Sequence, residues 1–163
     1  MIITLQLDEV SQQYFNTLRN AHFPAHANYL DAHLSLFYKL PDANLAIDTD
    51  LQNFAQRAPM ELQVTGLFQF GQGVAFTLAS DELTALHAAM QQRWEPWLIR
   101  QDKQPLHPHI TIQNKVTAHK ATQLYHSLME RFTPFTVQAL GLHTWRYLKG
   151  PWKPLVYYPF GMV

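Results

Sequence analysis

The pattern His-x-Ser/Thr-x-x-x-Lys occurs twice in this chain, at His33, Ser35, Lys39 and again at His109, Thr111, Lys115, every member displaced by 76 residues. Each copy begins with alternating apolar residues, His33-Leu34-Ser35-Leu36 and His109-Ile110-Thr111-Ile112. Such alternation is the signature of a strand, in which residues two apart share a face. Each strand then presents an imidazole beside a hydroxyl on one side and anchors itself with two aliphatic side chains on the other. Equivalent strands in two equivalent halves would set two imidazoles across one cleft.

The sequence around the two copies has a common rhythm. Met1–Leu7 alternates as a strand, and Asp8 then opens a helical stretch to about Asn20. Residues 22–30 read as a loop, His33–Tyr38 as a strand, Leu45–Arg57 as a helix, and Glu61–Phe70 with Val74–Leu78 as a hairpin closed by Gly71-Gln72-Gly73. A second helix-loop-strand-helix series follows. Ser80 or Asp81 caps a helix to about Trp94, and residues 100–107 form a loop. His109–Asn114 is a strand, and Thr117 caps a helix to about Phe132. Strands at Phe135–Trp145 and Leu155–Phe160 close the chain around a turn at Lys149-Gly150-Pro151. The spacing predicts a tandem duplication with halves of roughly 1–80 and 81–163, joined without a long linker into one domain spanning 1–163.

Composition narrows the chemistry. With 47% hydrophobic and 15% charged residues, the chain has ample material for a packed core and is not of disordered type. It has no cysteine, which removes disulfides, thiolate nucleophiles and cysteine-based metal sites. Twelve Lys plus Arg balance twelve Asp plus Glu. Zero net charge argues against an extended grip on long nucleic-acid duplexes and favours a small phosphorylated ligand. The N-terminus lacks the basic and apolar regions of a signal peptide, and no apolar run is long enough to span a bilayer. The expectation is a cytoplasmic protein with no membrane association and no obligate protein partner, a monomer sufficing.

Two imidazoles suit cleavage of a phosphodiester. A neutral one removes a proton from water or a ribose hydroxyl, and a protonated one supplies a proton to the departing oxygen. With an ordinary pKa of roughly 6.5, histidine offers both forms near neutrality. The hydroxyls of Ser35 and Thr111 are placed to donate to non-bridging phosphate oxygens. Neither metal nor cofactor is required.

The paired motifs HLSL at 33–36 and HITI at 109–112 resemble the hallmark of the two-histidine phosphoesterase superfamily, the LigT-like or 2′-5′ RNA ligase family. Pro108 before the second motif, the run QNK after it, and the ending LGLHTWRYLKGPWKPLVYYPF extend the resemblance over the whole chain. The resemblance implies an α+β, bilobal fold. Two antiparallel sheets face each other across a central cleft, with helices outside and a pseudo-two-fold axis between the halves. It makes His33 and His109 the catalytic pair, and Ser35 and Thr111 the phosphate ligands. It implies hydrolysis of 2′,3′-cyclic phosphates or related cyclic or 2′-5′ nucleotide bonds, on a small cyclic nucleotide or a short RNA end, with reversible 2′-5′ ligation an associated activity. Ser35 stands where threonine is commoner and retains the donor.

Further candidates follow from position. Lys39 and Lys115 lie six residues past each histidine, an even spacing that keeps them on the cleft side of an unbroken strand. Arg146 and Lys149 are near enough in sequence to the closing turn to reach a phosphate. Phe68, Phe70, Trp145 and Tyr147 are strand aromatics, of which Phe70 and Trp145 are candidates for stacking a base. Trp94, Trp97 and Trp152 read as structural or peripheral. His87, His119 and His126 lie on helices and read as surface or structural. A zinc site built from His107 and His109 with His33 or His143 is an alternative, but it leaves the paired hydroxyls without a role. A non-catalytic nucleotide- or RNA-binding module using the same cleft is a second alternative. The sequence does not assign acid and base between the two histidines, nor the physiological substrate.

Overall fold

The computed structural model describes residues 1–161, so the expected domain end at Val163 lies outside the described range. The chain is α+β. Its elements run β1 (Ile2–Leu7), α1 (Glu9–His22), β2 (Leu34–Phe37), α2 (Leu45–Phe54), β3 (Met60–Phe70), β4 (Gly73–Ala79), α3 (Asp81–Trp94), β5 (His109–Gln113), α4 (Ala118–Met129), β6 (Phe135–Tyr147) and β7 (Trp152–Pro159). Helix starts follow local chemistry. Asp8, Asn44, Ser80 and Thr117 each accept a backbone N–H of the first turn that no helical carbonyl reaches.

All the pairings are antiparallel, and the strands run β2-β1-β6-β3-β4-β5, with β7 also on β6. The two expected sheets are thus hydrogen-bonded into one seven-stranded sheet. The junction is the short ladder from Met60↔Ala139 to Val64↔Phe135. Beyond it β6 exchanges β3 for β7, while β1 holds its opposite edge.

This order exposes the duplication more sharply than the sequence does. The repeat is strand-helix-strand-helix-strand, first as β1-α1-β2-α2-β3 and then as β4-α3-β5-α4-β6. In this element order the two series meet at the β3–β4 turn, around Gly71 and Gln72. In each unit the first strand pairs with its own second strand and with the third strand of the other unit. β1 lies between β2 and β6, and β4 between β5 and β3. At the end of the second motif strand, Gly73 permits an approach that no other residue allows, since a Cβ there would overlap the Gln113 carbonyl.

One core joins both units. Leu34, Leu36, Ile110 and Ile112 are fully or almost fully buried in it, which turns the polar face of both motif strands the other way. The first helix of each unit bonds the motif strand of the other. Arg19 of α1 bonds the Thr111 carbonyl of β5, and His87 of α3 bonds the Leu36 carbonyl of β2. Among the described residues no helix is long and apolar enough to cross a membrane.

Candidate active site

The two outer strands of the ladder, β2 and β5, carry the motifs, and the sheet's curl brings their polar faces to one cavity of about 270 Å³. Its lining includes His33, Ser35, His109, Thr111, Tyr38 and Asn114. A second cavity of about 320 Å³ adjoins it on the His33 side and shares Leu30, His33 and Trp152. Its other walls are Tyr29, Trp145, Thr4, Gln6, Gln12 and Asp31.

Both histidines are held in the same way. Nδ1 of His33 donates to the Asp31 carbonyl at 2.7 Å, and Nδ1 of His109 to the His107 carbonyl at 2.8 Å. A carbonyl only accepts, so each Nδ1 carries the proton. A neutral ring therefore presents Nε2 as its lone-pair nitrogen. Neither Nε2 has a hydrogen-bond partner within the described residues. In each ring one bond, to the carbonyl two residues earlier in the segment leading into the strand, thus fixes tautomer and orientation and leaves the basic nitrogen for a ligand.

The electrostatics of the pair are unequal. Burial pushes the His33 imidazole down to about 4, and the nearby Arg19 and His109 act in the same direction against the Asp31 carbonyl and carboxylate. At neutral pH the His33 ring is therefore uncharged. Burial, with Asp102 nearby, raises the Tyr38 phenol above its usual range, so it remains a neutral donor at the rim.

Not every candidate reaches this cavity. Lys39 and Lys115 do not, because neither strand continues to them. β2 ends at Phe37, where the buried Asp102 carboxylate takes the backbone N–H groups of Tyr38 and Lys39, both at 2.9 Å. β5 ends at Gln113, and Lys115 has a left-handed backbone with φ of 61°. Arg146 is engaged by Asp42, its Nε 3.3 Å from the carboxylate, and is not part of the lining. Phe70 is also outside the lining. Its neighbour Phe68 is the aromatic that approaches His109, with ring centroids 6.0 Å apart. Trp145 lines the adjoining cavity, its indole N–H donating to Thr4 Oγ1 at 2.8 Å.

Of the lining residues that escaped sequence reasoning, Trp152 and Arg19 matter most to the site. Trp152, read as structural or peripheral, packs its ring 4.7 Å from that of His33 and lines both cavities. Its strand begins three residues earlier than expected and runs through Pro154, which an edge strand tolerates. Arg19 projects from α1 into the lining and is only 5% exposed. It reads in sequence as an ordinary last-turn cation, and nothing local announces its burial. As for the zinc alternative, His107 offers its carbonyl to His109. Among the described residues no three His, Asp or Glu side chains gather as a metal-holding group.

Residues 7–151 match the 2′-5′ RNA ligase superfamily. No curated protein sequence matches the chain. Among solved structures, TT0787 of Thermus thermophilus is similar over 99% of both chains at 18% identity, with a TM-score of 0.68. E. coli LigT complexed with 3′-AMP is similar over 99% of this chain and 97% of that one at 16% identity, with a TM-score of 0.57. A structure described only as a phosphoesterase matches at 17% identity over 99% and 97% of the chains, with a TM-score of 0.59. These likenesses give the fold. The family match covers most of the sequence, and the chain belongs to the 2′-5′ RNA ligase superfamily.

Proposed function

We propose that the protein is a metal-independent phosphodiesterase that opens 2′,3′-cyclic phosphates or related 2′-5′ nucleotide bonds by acid–base catalysis between His33 and His109. The observation that carries this reading is the pair of imidazoles on one cavity, both with Nδ1 bonded to backbone and Nε2 free, beside the hydroxyls of Ser35 and Thr111. Binding alone does not call for two proton-transfer groups so oriented.

In this reading His33, neutral near pH 7, takes a proton from the attacking water. His109 gives a proton to the leaving ribose oxygen. Ser35 and Thr111 donate to the non-bridging oxygens as charge builds on them. With a 5′-hydroxyl in place of the water, the same attack on the cyclic phosphate and the same departure of the ribose 3′-oxygen form a 2′-5′ bond, which is the route to ligation. The adjoining cavity, with Trp145, Trp152 and Tyr29 in its wall, accommodates the nucleoside. E. coli LigT, of the same fold, has been crystallised with 3′-AMP and with phosphate, ligands of the chemistry proposed for this cleft.

The test is a turnover screen of nucleoside 2′,3′-cyclic monophosphates and 2′-5′ dinucleotides near neutral pH with EDTA present. Hydrolysis that survives EDTA and is lost in both His33→Ala and His109→Ala is the expected result. Binding without turnover of any of them would make the cleft a recognition module instead, and loss of activity in EDTA would restore the metal alternative.

A further inference from the structure

Arg19 is charged and buried, and it makes no salt bridge with any carboxylate among the described residues. Burial lowers its guanidinium to about 10, with Asp31 opposing, so it remains a cation at neutral pH. Removing such a charge from water is costly unless something offsets it.

Its geometry is fixed on three sides. Nε donates to Asn28 Oδ1 at 2.9 Å, and Nη1 donates to the Thr111 carbonyl at 3.0 Å. The guanidinium lies 4.1 Å over the Phe23 ring. Asn28 is itself steadied by a bond to Asn20 Oδ1 at 3.1 Å. Among the described residues Nη2 has no protein acceptor, yet it is not one of the sealed, partnerless buried atoms. No protein acceptor therefore competes for Nη2, and Arg19 is one of the residues lining the cavity with His33, Ser35, His109 and Thr111.

The rest of that lining strengthens the case. Among the described residues Arg19 is its one side chain with a permanent charge, the two histidines being titratable and the others neutral. The cations expected at the cleft from sequence, Lys39, Lys115 and Arg146, all lie outside the lining. A purely structural strut between α1 and β5 needs the bond to the Thr111 carbonyl but not the charge.

We propose that Arg19 is the fixed cation that seats the phosphate of the ligand, its Nη2 donating to a non-bridging oxygen between the two histidines. The role deepens the phosphodiesterase reading and rests on the cleft being a phosphoester site. Arg19 binds and orients. It transfers no proton, because its guanidinium stays charged across the working range. The fork geometry matches phosphate oxygens better than a lysine ammonium would.

The test uses inorganic phosphate as the probe on the full chain. In wild type, nitrogen-15 spectra of arginine side chains should show the Arg19 guanidinium resonances shift, with slower proton exchange at Nη2, as phosphate is added. Calorimetry on Arg19→Gln, with folding checked by near-ultraviolet circular dichroism, should show phosphate affinity about ten- to a hundredfold weaker. Arg19→Lys should recover part of it, and added guanidinium should restore binding to Arg19→Ala. Two results would overturn the assignment: wild-type Arg19 resonances indifferent to phosphate, including the case where phosphate does not bind, or a folded Arg19→Gln that binds it as wild type does. The wild-type spectra decide the matter even if the variants do not fold. Phosphate held by Arg19 without cyclic-nucleotide turnover would remove the phosphodiesterase reading alone. Turnover with unchanged KM in Arg19→Gln would remove the Arg19 role alone.

Discussion

Nε2 of His87 donates to the Leu36 carbonyl at 3.0 Å, across the boundary between the two repeats. The ring also stacks on Phe37 at 4.7 Å and is 3% exposed. The counterpart bond from α1 to the other motif strand is the one from Arg19 to Thr111. Replacing His87 with Leu keeps the bulk but leaves a buried carbonyl without its donor. We expect a loss of about 1–3 kcal/mol, read from urea midpoints. Stability unchanged in His87→Leu would show that the bond contributes nothing to holding α3 on β2.

The depressed pKa of His33 makes two pH predictions. If His33 is the base, the acidic limb of kcat/KM should fall near pH 4, well below an ordinary histidine's. A limb at roughly 6.5 or above would assign the proton acceptor elsewhere. Stability follows with a definite sign. The folded value lies below the unfolded one, so folding favours the neutral ring. That contribution is complete above about pH 6.5 and is lost as pH falls toward 4. His33→Asn should therefore lose less stability than wild type across that interval in denaturant titrations at stepped pH.

Rate measurements separate proton transfer from phosphate binding. His33→Ala and His109→Ala should each cost about 10²–10⁴ in kcat. Ser35→Ala and Thr111→Ala remove one neutral donor each and should cost about tenfold. Equal losses for all four variants would contradict that division of labour.

Trp152 invites a different measurement. It lines both cavities and its ring packs against His33. Trp152→Ala should raise KM for a cyclic nucleotide by roughly fivefold to a hundredfold, the worth of one stacked base. It should also move the acidic limb of kcat/KM upward, because water then reaches His33. If both KM and that limb stay where they are, Trp152 is only a structural wall.

Much of this was legible in the sequence because it is local. The motif strands follow from alternation, and the helix starts from Asp8, Ser80 and Thr117. The errors share one cause, which is tertiary pairing. Lys39 has the right spacing for the cleft, but Asp102 in a distant loop caps β2 before reaching it. Arg19 looks like a helix-end cation, and only the strand from the other repeat buries it. Trp152 depends on β7 finding β6, with Pro154 tolerated because that strand has one neighbour.

The exchange of third strands has a consequence for how such a chain can be assembled. Neither repeat is a complete object. Taken alone, β1-α1-β2-α2-β3 would hold one imidazole, an unpaired flank on β1 where β6 belongs, and no partner for β3. Only a second copy, lending its last strand and accepting one in return, closes the ladder and supplies the opposing imidazole. The connectivity is thus that of two strand-exchanging units joined in one chain, and the turn at Gly71-Gln72 is the covalent link that keeps each unit beside the strand it borrows.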